Sequence, residues 1–455
     1  MEEQGANQLA ENVREEIIAA VKAAGVVGAG GAGFPTHVKI NASVDTILVN
    51  GAECEPLLRA HQQLMASESQ AMLLGLRAVM VATGAQKAYV GLKHKYGPAI
   101  ESLTKTLADM NEKNVELAYL PDIYPAGDEQ VLVREITGRI VPEGGIPLQV
   151  GVVVANVETL INVAKALQGE GVTEKYVTIG GAVAKPITIK APVGMSVKEA
   201  LAMAGGPTTG PYAIIDGGPM MGKLIEEDAP ITKTTGGLLV LPESHSIIRG
   251  RRLSWEHVLN RSRAVCCNCR ACTDVCPRNL LGHGLEPHRI MQAIGHSNSE
   301  QPDILQRAML CSECGACEVF GCTMGLSPRL VNGHLKKEFA KQKVRNPYHE
   351  APCAVRGGRE YRMIPTKRLV ARLGLSQYDV KAPLLAEMPQ VRSVKLLLSQ
   401  HIGAPAKPIV AVGDSVAKGQ LVAEIPEGAG LGANVHASIA GKVVSIDGAV
   451  VIQAQ

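Results

Sequence analysis

Eight cysteines between residues 266 and 322 leave this chain little freedom. Cys266, Cys269, Cys272 and Cys276 are spaced C-x2-C-x2-C-x3-C, and Pro277 follows. Cys311, Cys314, Cys317 and Cys322 repeat the run as C-x2-C-x2-C-x4-C. Three closely spaced thiolates wrap one face of an iron–sulfur cube, and a more distant cysteine closes it. In two-cluster ferredoxin folds the fourth cysteine of each run serves the other cluster. The spacing therefore predicts two [4Fe–4S] clusters. One sits on Cys266, Cys269, Cys272 and Cys322, the other on Cys311, Cys314, Cys317 and Cys276. Structural zinc would favour two CxxC pairs, and a disulfide framework belongs to short secreted chains. Cys267 offers a slipped register, but the unbroken run favours Cys266.

The remaining chain must feed these clusters or be fed by them. At 455 residues it has room for about three domains. With aromatics at 3% of a 46% hydrophobic composition, aliphatic side chains must build the cores. A net charge of +3 without a basic tail argues against nucleic acid as the main partner. No apolar run is long enough to span a bilayer, and the acidic first twenty residues lack a signal-peptide core. Eleven cysteines, eight of them in cluster spacing, suit a reducing cytoplasm.

Taken in order, residues 8–24 read as an amphipathic helix with Val13, Ile17, Val21 and Ala24 on one face. The stretch Gly28–Gly33 follows, formally a G-x-G-x-x-G. A dinucleotide fingerprint should follow a strand and open a helix, whereas here a helix precedes and Pro35 follows. What remains is a loop whose bare backbone can approach a phosphate or a flat ring, or else a glycine-rich turn. Strands are expected at 45–50, 87–92 and 115–120, with helices at 57–82 and 97–110. Polar loops at Asn50–Pro56, Tyr124–Glu129 and Asn156–Thr159 stand at strand ends, where open α/β sheets place ligands. Residues 1–170 thus read as an α/β domain, and 171–241 as a β-grasp-like module with a helix at 196–204. A polar linker spans 242–263, and a helical two-cluster ferredoxin-like module 264–340. An irregular connection spans 341–390, and a barrel-sandwich β module 391–455. In that last module Val412–Gln420 resembles the turn of a biotinyl or lipoyl carrier, but Glu427–Gly432 holds no carrier lysine.

Five motifs then carry a resemblance over roughly residues 12–455. They are GAGGAGFPTHVK at Gly28–Lys39, NGAECEP at Asn50–Pro56, YPAGDEQ at Tyr124–Gln130, ANVETL at Ala155–Leu160 and GGPMMG at Gly217–Gly222. In this order they resemble the flavin- and NADH-binding subunit of respiratory complex I, and more strongly the C subunit of Rnf electron-transport complexes. A sandwich module placed after both clusters is similar to the cobalamin reductases of propanediol-utilisation microcompartments.

The resemblance implies FMN on the α/β domain with NADH stacked on it. Gly28, Gly30, Gly31, Gly33 and Phe34 would face the nucleotide. Lys39, Asn50, Glu53, Asn156 and Thr159 would hold the flavin or its phosphate, and Tyr124, Gly127, Asp128 and Glu129 would close the site. Two departures stand out. Ala52 replaces an aspartate of the complex I subunit, and the cluster spacing differs from that subunit's single cluster. NADH delivers two electrons at once while a cubane takes one, and a flavin mediates between them. The resemblance thus implies an oxidoreductase passing electrons from NADH through FMN and two clusters to cobalamin. It places the protein in the cytoplasm, inside a bacterial microcompartment and beside a shell protein. An NAD-recycling conduit to another acceptor (a shell-protein cluster, quinone or ferredoxin) is the alternative, and a scaffold with structural clusters the third reading. Cys54 is either redox-active or a small buried hydrophobe. His283, His288 and His401 lack the pattern of a cobalamin-binding motif.

Overall fold

The computed structural model describes residues 2–295, 302–385 and 387–454, with side chains from residue 11 onward. Its first unit is built on four parallel strands, Thr46–Asn50, Lys87–Lys93, Val115–Leu120 and Val152–Asn156. Valine-rich strands suit a sheet covered on both faces. Ile47 and Val49 pack under the helices Ser69–Thr83 and Val157–Ala166. Leu48 points the other way, to Leu132 and Val133 of the helix Glu129–Thr137. In space the strands run Val115–Leu120, Lys87–Lys93, Thr46–Asn50, Val152–Asn156. The chain steps outward twice from its first strand and then crosses to that strand's other side. Such a reversal opens a crevice beyond the carboxyl ends of the two strands that flank it. The register sets Asn50 against Asn156 at that point.

The long helix expected over 57–82 is two helices, Ala60–Ser67 and Ser69–Thr83, broken at Glu68. Serines flank the break and compete for backbone hydrogen bonds. The Ser69 hydroxyl is bonded to those of Thr106 and Ser102, on the helix Gly97–Asp109.

The second unit is a five-stranded sheet in the order Ile187–Pro192, Glu174–Gly181, Gly237–Pro242, Tyr212–Asp216, Lys223–Ile225. Its central pair, Glu174–Gly181 with Gly237–Pro242, is parallel and the rest antiparallel. One helix, Val197–Met203, closes the core. Ser196 and Glu199 exchange hydrogen bonds at its start as a capping box. This is the expected β-grasp arrangement.

Residues 242–263, expected as a linker, carry the helices Ser246–Arg251 and Trp255–Val265. Ser254 caps the second, and Trp255 stacks on His334 with ring centroids 3.7 Å apart. The cysteine module adds the helices Pro287–Gly295 and Pro328–Lys341. Residues 296–301, within the span expected to be helical, lie outside the described residues. Within 341–390, expected to be irregular, Ile364–Pro365 pairs with Ile123–Tyr124 and the helix Thr366–Arg372 follows. Leu369 and Val370 of that helix enter a core shared with Leu57, Tyr124, Met220 and Cys314. The connection thus seals the joint between modules, and its apolar residues are too few and too scattered to show a period. The last unit packs a four-stranded and a three-stranded antiparallel sheet around one core, as expected of a barrel-sandwich module. Its short strand Lys407–Pro408 pairs with Leu421–Glu424. Among the described residues no helix is long and apolar enough to cross a membrane.

Candidate functional site

The glycine-rich turn lies over the crevice. Val27 bridges to Pro35, and the Gly28 N–H donates to the Phe34 carbonyl at 2.9 Å, closing the turn at its base. The Ala29 N–H donates to Thr159 Oγ1 at 2.9 Å, which ties the turn to the first turn of the helix Val157–Ala166. Gly31 and Gly33 have φ of +69° and +68°, a region that glycine enters without strain. A Cβ on Gly30 would lie 3.5 Å from the Asn156 amide, and one on Gly31 would meet nothing within 4 Å. Among the described residues, the N–H groups of Gly30, Gly31, Ala32 and Gly33 find no protein acceptor. Consecutive free N–H groups beside a helix amino end form an anion-binding concavity. The donor set therefore fits the phosphate of a flavin nucleotide, and the open side at Gly31 admits a flat ring.

The other expected residues divide into three groups. Asn50 and Asn156 stand at the crevice. Asn50 donates to the Gly127 carbonyl at 2.8 Å, while Asn156 accepts from the Glu158 N–H at 2.9 Å and lies 3.3 Å from His61 Nε2. Phe34 stands at the rim, about one-third exposed. A second group is held by the scaffold. Glu53 accepts the N–H groups of His61 and Gln62 at 2.8 and 3.3 Å, capping the helix Ala60–Ser67. Lys39 donates to the Val154 carbonyl at 2.7 Å and pairs with Glu129 at 3.0 Å. The third group faces the cysteine module. The Tyr124 hydroxyl donates to the Cys314 carbonyl at 2.6 Å, and Asp128, which caps the helix Glu129–Thr137, pairs with Arg278 at 2.6 Å. Between the first and third groups, Gly127 admits the Cys54 sulfur, which would sit 3.1 Å from any Cβ there. Burial pushes the Cys54 thiol up to about 12, so it stays a thiol.

Two features escape a sequence reading. Lys175, from the β-grasp unit, forms a fully buried ion pair with Glu158 and donates to the Ala29 carbonyl at 2.8 Å. Glu158 stands in the ANVETL motif, but its partner lies in another module. His61 also reaches the crevice, where burial lowers its pKa and keeps it neutral.

The cysteines gather as two sets of four. Cys266, Cys269, Cys272 and Cys322 line one open pocket, together with Cys267, Met291 and Met324. Cys276 lies within electrostatic reach of Cys311 and Cys314, and Cys317 within reach of all three. The fourth cysteine of each run thus joins the other run's trio. The two loops share a backbone trace, with left-handed residues at Asn268 and Arg270 in one and at Glu313 and Gly315 in the other. Amides turn toward sulfur in the second loop and again after Cys322. The N–H of Glu313 lies 3.3 Å from Cys311 Sγ, and that of Leu326 the same distance from Cys322 Sγ. Burial, reinforced by the neighbouring sulfurs, pushes the Cys272 and Cys314 thiols up to about 12. Thiols so crowded ionise when metal binds.

The sets differ in depth. Cys276, Cys314 and Cys317 are buried, whereas Cys269 is exposed. The inner set touches the α/β domain through Tyr124 and Arg278, and the outer set opens at the surface.

Four families match in sequence along the chain. They are the Nuo51 FMN-binding domain over residues 21–165, the SLBB domain over 176–224, the 4Fe-4S dicluster domain over 265–327 and the RnfC barrel sandwich hybrid domain over 378–455. The cobalamin reductase PduS of Salmonella typhimurium is 48% identical over 95% of this chain and 95% of its own length. That of Citrobacter freundii is 48% identical over 96% and 95%. The C subunit of the Na(+)-translocating ferredoxin:NAD(+) oxidoreductase complex of Acetobacterium woodii is 36% identical over 56% of each chain. The chain, an oxidoreductase with an FMN-binding domain and a 4Fe-4S dicluster domain, belongs to the PduS family of cobalamin reductases.

Proposed function

We propose that the protein oxidises NADH at the crevice and passes the electrons through the inner and then the outer cysteine set to cobalamin. One observation carries this order of travel. The inner set is clasped to the α/β domain by the Tyr124–Cys314 and Asp128–Arg278 contacts, while the outer set opens to solvent. In this reading FMN, when bound, accepts hydride and releases electrons singly. The amides of Gly30–Gly33 and the amino end of the helix Val157–Ala166 hold its phosphate. Asn50 and Asn156 orient its ring, and Phe34 at the rim leaves room for the nicotinamide. Cys311, Cys314, Cys317 and Cys276 hold one [4Fe–4S] cluster, and Cys266, Cys269, Cys272 and Cys322 the other. N–H···S bonds and solvent exposure tune cluster potential, so sets of unequal depth hold unequal potentials. His283 is buried, with its Nε2 bonded to the Val141 carbonyl at 2.9 Å. In this reading the corrinoid visits the exposed face of the outer set. Placement in a microcompartment beside a shell protein rests on the resemblance alone.

The test is anaerobic mixing of FMN-replete protein with NADH and excess cob(III)alamin, followed by corrinoid absorbance. Reduction proportional to protein, and lost in Cys322→Ser while NADH still bleaches the flavin, is the expected result. Bleaching of flavin and clusters with an unchanged corrinoid spectrum would reassign the acceptor.

A further inference from the structure

Glu55 and the loop Gly217–Gly222 take no part in the crevice, yet they meet where three modules join. The Glu55 carboxylate accepts the N–H groups of Met220 and Met221, each at 3.0 Å. A Cβ on Gly218 would fall 2.0 Å from Glu55 Oε2, so the fit requires glycine. Arg251 donates to the carbonyls of Pro219 and Gly222 at 2.7 and 3.1 Å. From the helix Pro328–Lys341, Arg329 donates to the Met220 carbonyl at 2.9 Å and pairs with Glu318, the neighbour of Cys317, at 3.1 Å. Met220 is buried, and its methyl group lies 3.4 Å from where a Cβ on Gly315 would stand, between Cys314 and Cys317. A carboxylate next in sequence to Cys54 thus grips one side of a loop whose other side rests on the inner cysteine set.

Resting on the proposed electron route, we propose that Glu55 is the positioning residue for the step from crevice to inner cluster: its carboxylate seats Met220 against Gly315, and its charge sets the potential of the cluster held there. The charged groups around it are Arg251 and Arg329, the latter neutralised by Glu318. Cys54 and Tyr124, the other titratable neighbours, are kept neutral by burial. Burial pushes Glu55 itself up to about 7, opposed by the two N–H groups and the guanidiniums. Above that pH its negative charge disfavours an added electron, and below it the neutral acid does not. The proton exchanges with solvent, and the electron comes from NADH or an added reductant.

The experiment is an EPR-monitored redox titration of the holoprotein with dithionite, at pH 6 and 8.5, for wild type and Glu55→Gln. At pH 8.5 the variant's inner cluster should be easier to reduce by about tenfold in equilibrium constant, about 59 mV for one electron. At pH 6 the two proteins should coincide, and NADH should bleach the flavin of both at one rate. Equal potentials at pH 8.5 would overturn the assignment. So would a pH-independent potential in wild type, which needs no variant. Because dithionite replaces NADH, the titration stands apart from the NADH assay. Only the absence of a second cluster signal in wild type would remove both readings.

Discussion

Gly75→Ala tests whether the scaffold positions the crevice. Gly75 lies within the helix Ser69–Thr83, against the helix Val157–Ala166. A Cβ there would fall 1.9 Å from the Leu160 carbonyl oxygen. Restoring ordinary contact at about 3.4 Å requires the helices to part by about 1.5 Å. Overpacking of this kind costs about 1–3 kcal/mol, while replacing a helical glycine by alanine returns about 1 kcal/mol. The net loss is then up to about 2 kcal/mol, or up to about 8 °C in the melting temperature of a domain this size. The displacement falls on the helix that begins at Asn156 and carries Thr159, the anchor of Ala29. FMN affinity should therefore fall at least tenfold, read by titrating apoprotein and following flavin fluorescence. Gly97→Ala is the control, because a Cβ there meets nothing within 4 Å. A Gly75→Ala protein that binds FMN like wild type and melts no lower would refute the reasoning. The helix seam would then be loose, and the crevice indifferent to it.

Two further outcomes follow from charges that join modules. Lys175→Met leaves the Glu158 carboxylate buried beside a single N–H donor, the Tyr176 amide, and should cost about 3–5 kcal/mol. Calorimetry should show much of that recovered in Lys175→Met/Glu158→Gln, and equal stability of the two variants would refute the pairing. Against the upward push of burial, Lys190, Lys418 and Lys165 hold the Glu174 carboxyl down at about 2. Its stabilising contribution is full above the unfolded value of about 4.3 and fades as pH falls toward 2. Hydrogen exchange in the strand Leu421–Glu424 should rise over that window, less so in Glu174→Gln. An identical acid response in the two proteins would remove Glu174 as the cause.

What the sequence discloses follows the range of the forces involved. Each cysteine run is local, and its spacing alone implies cubes. Strands such as Val115–Leu120 coincide with their expected bounds because a short apolar run between polar loops is a local signal. The Ser196 cap is legible for the same reason. Glu53 and Asp128 are expected at the cofactor, but their carboxylates are engaged by helix amino ends, and Asp128 also by Arg278. A motif string does not say which neighbour its side chain will meet. The grip of Glu55 on Met220 and Met221 spans some 165 residues, and Lys175 reaches Glu158 across a module boundary. The helix Thr366–Arg372 is hidden because Leu369 and Val370 are the only large apolar residues on its buried face, beside Thr366.

The unequal depth of the two cysteine sets also gives them unequal access from solvent. Iron and sulfide can reach Cys269 on a finished molecule, since that residue is exposed. Cys314 and Cys317 lie beneath contributions from the α/β domain, the β-grasp loop and the helix Thr366–Arg372. On the folded molecule the inner set is approached only where Cys311 is half-buried, or by parting these pieces.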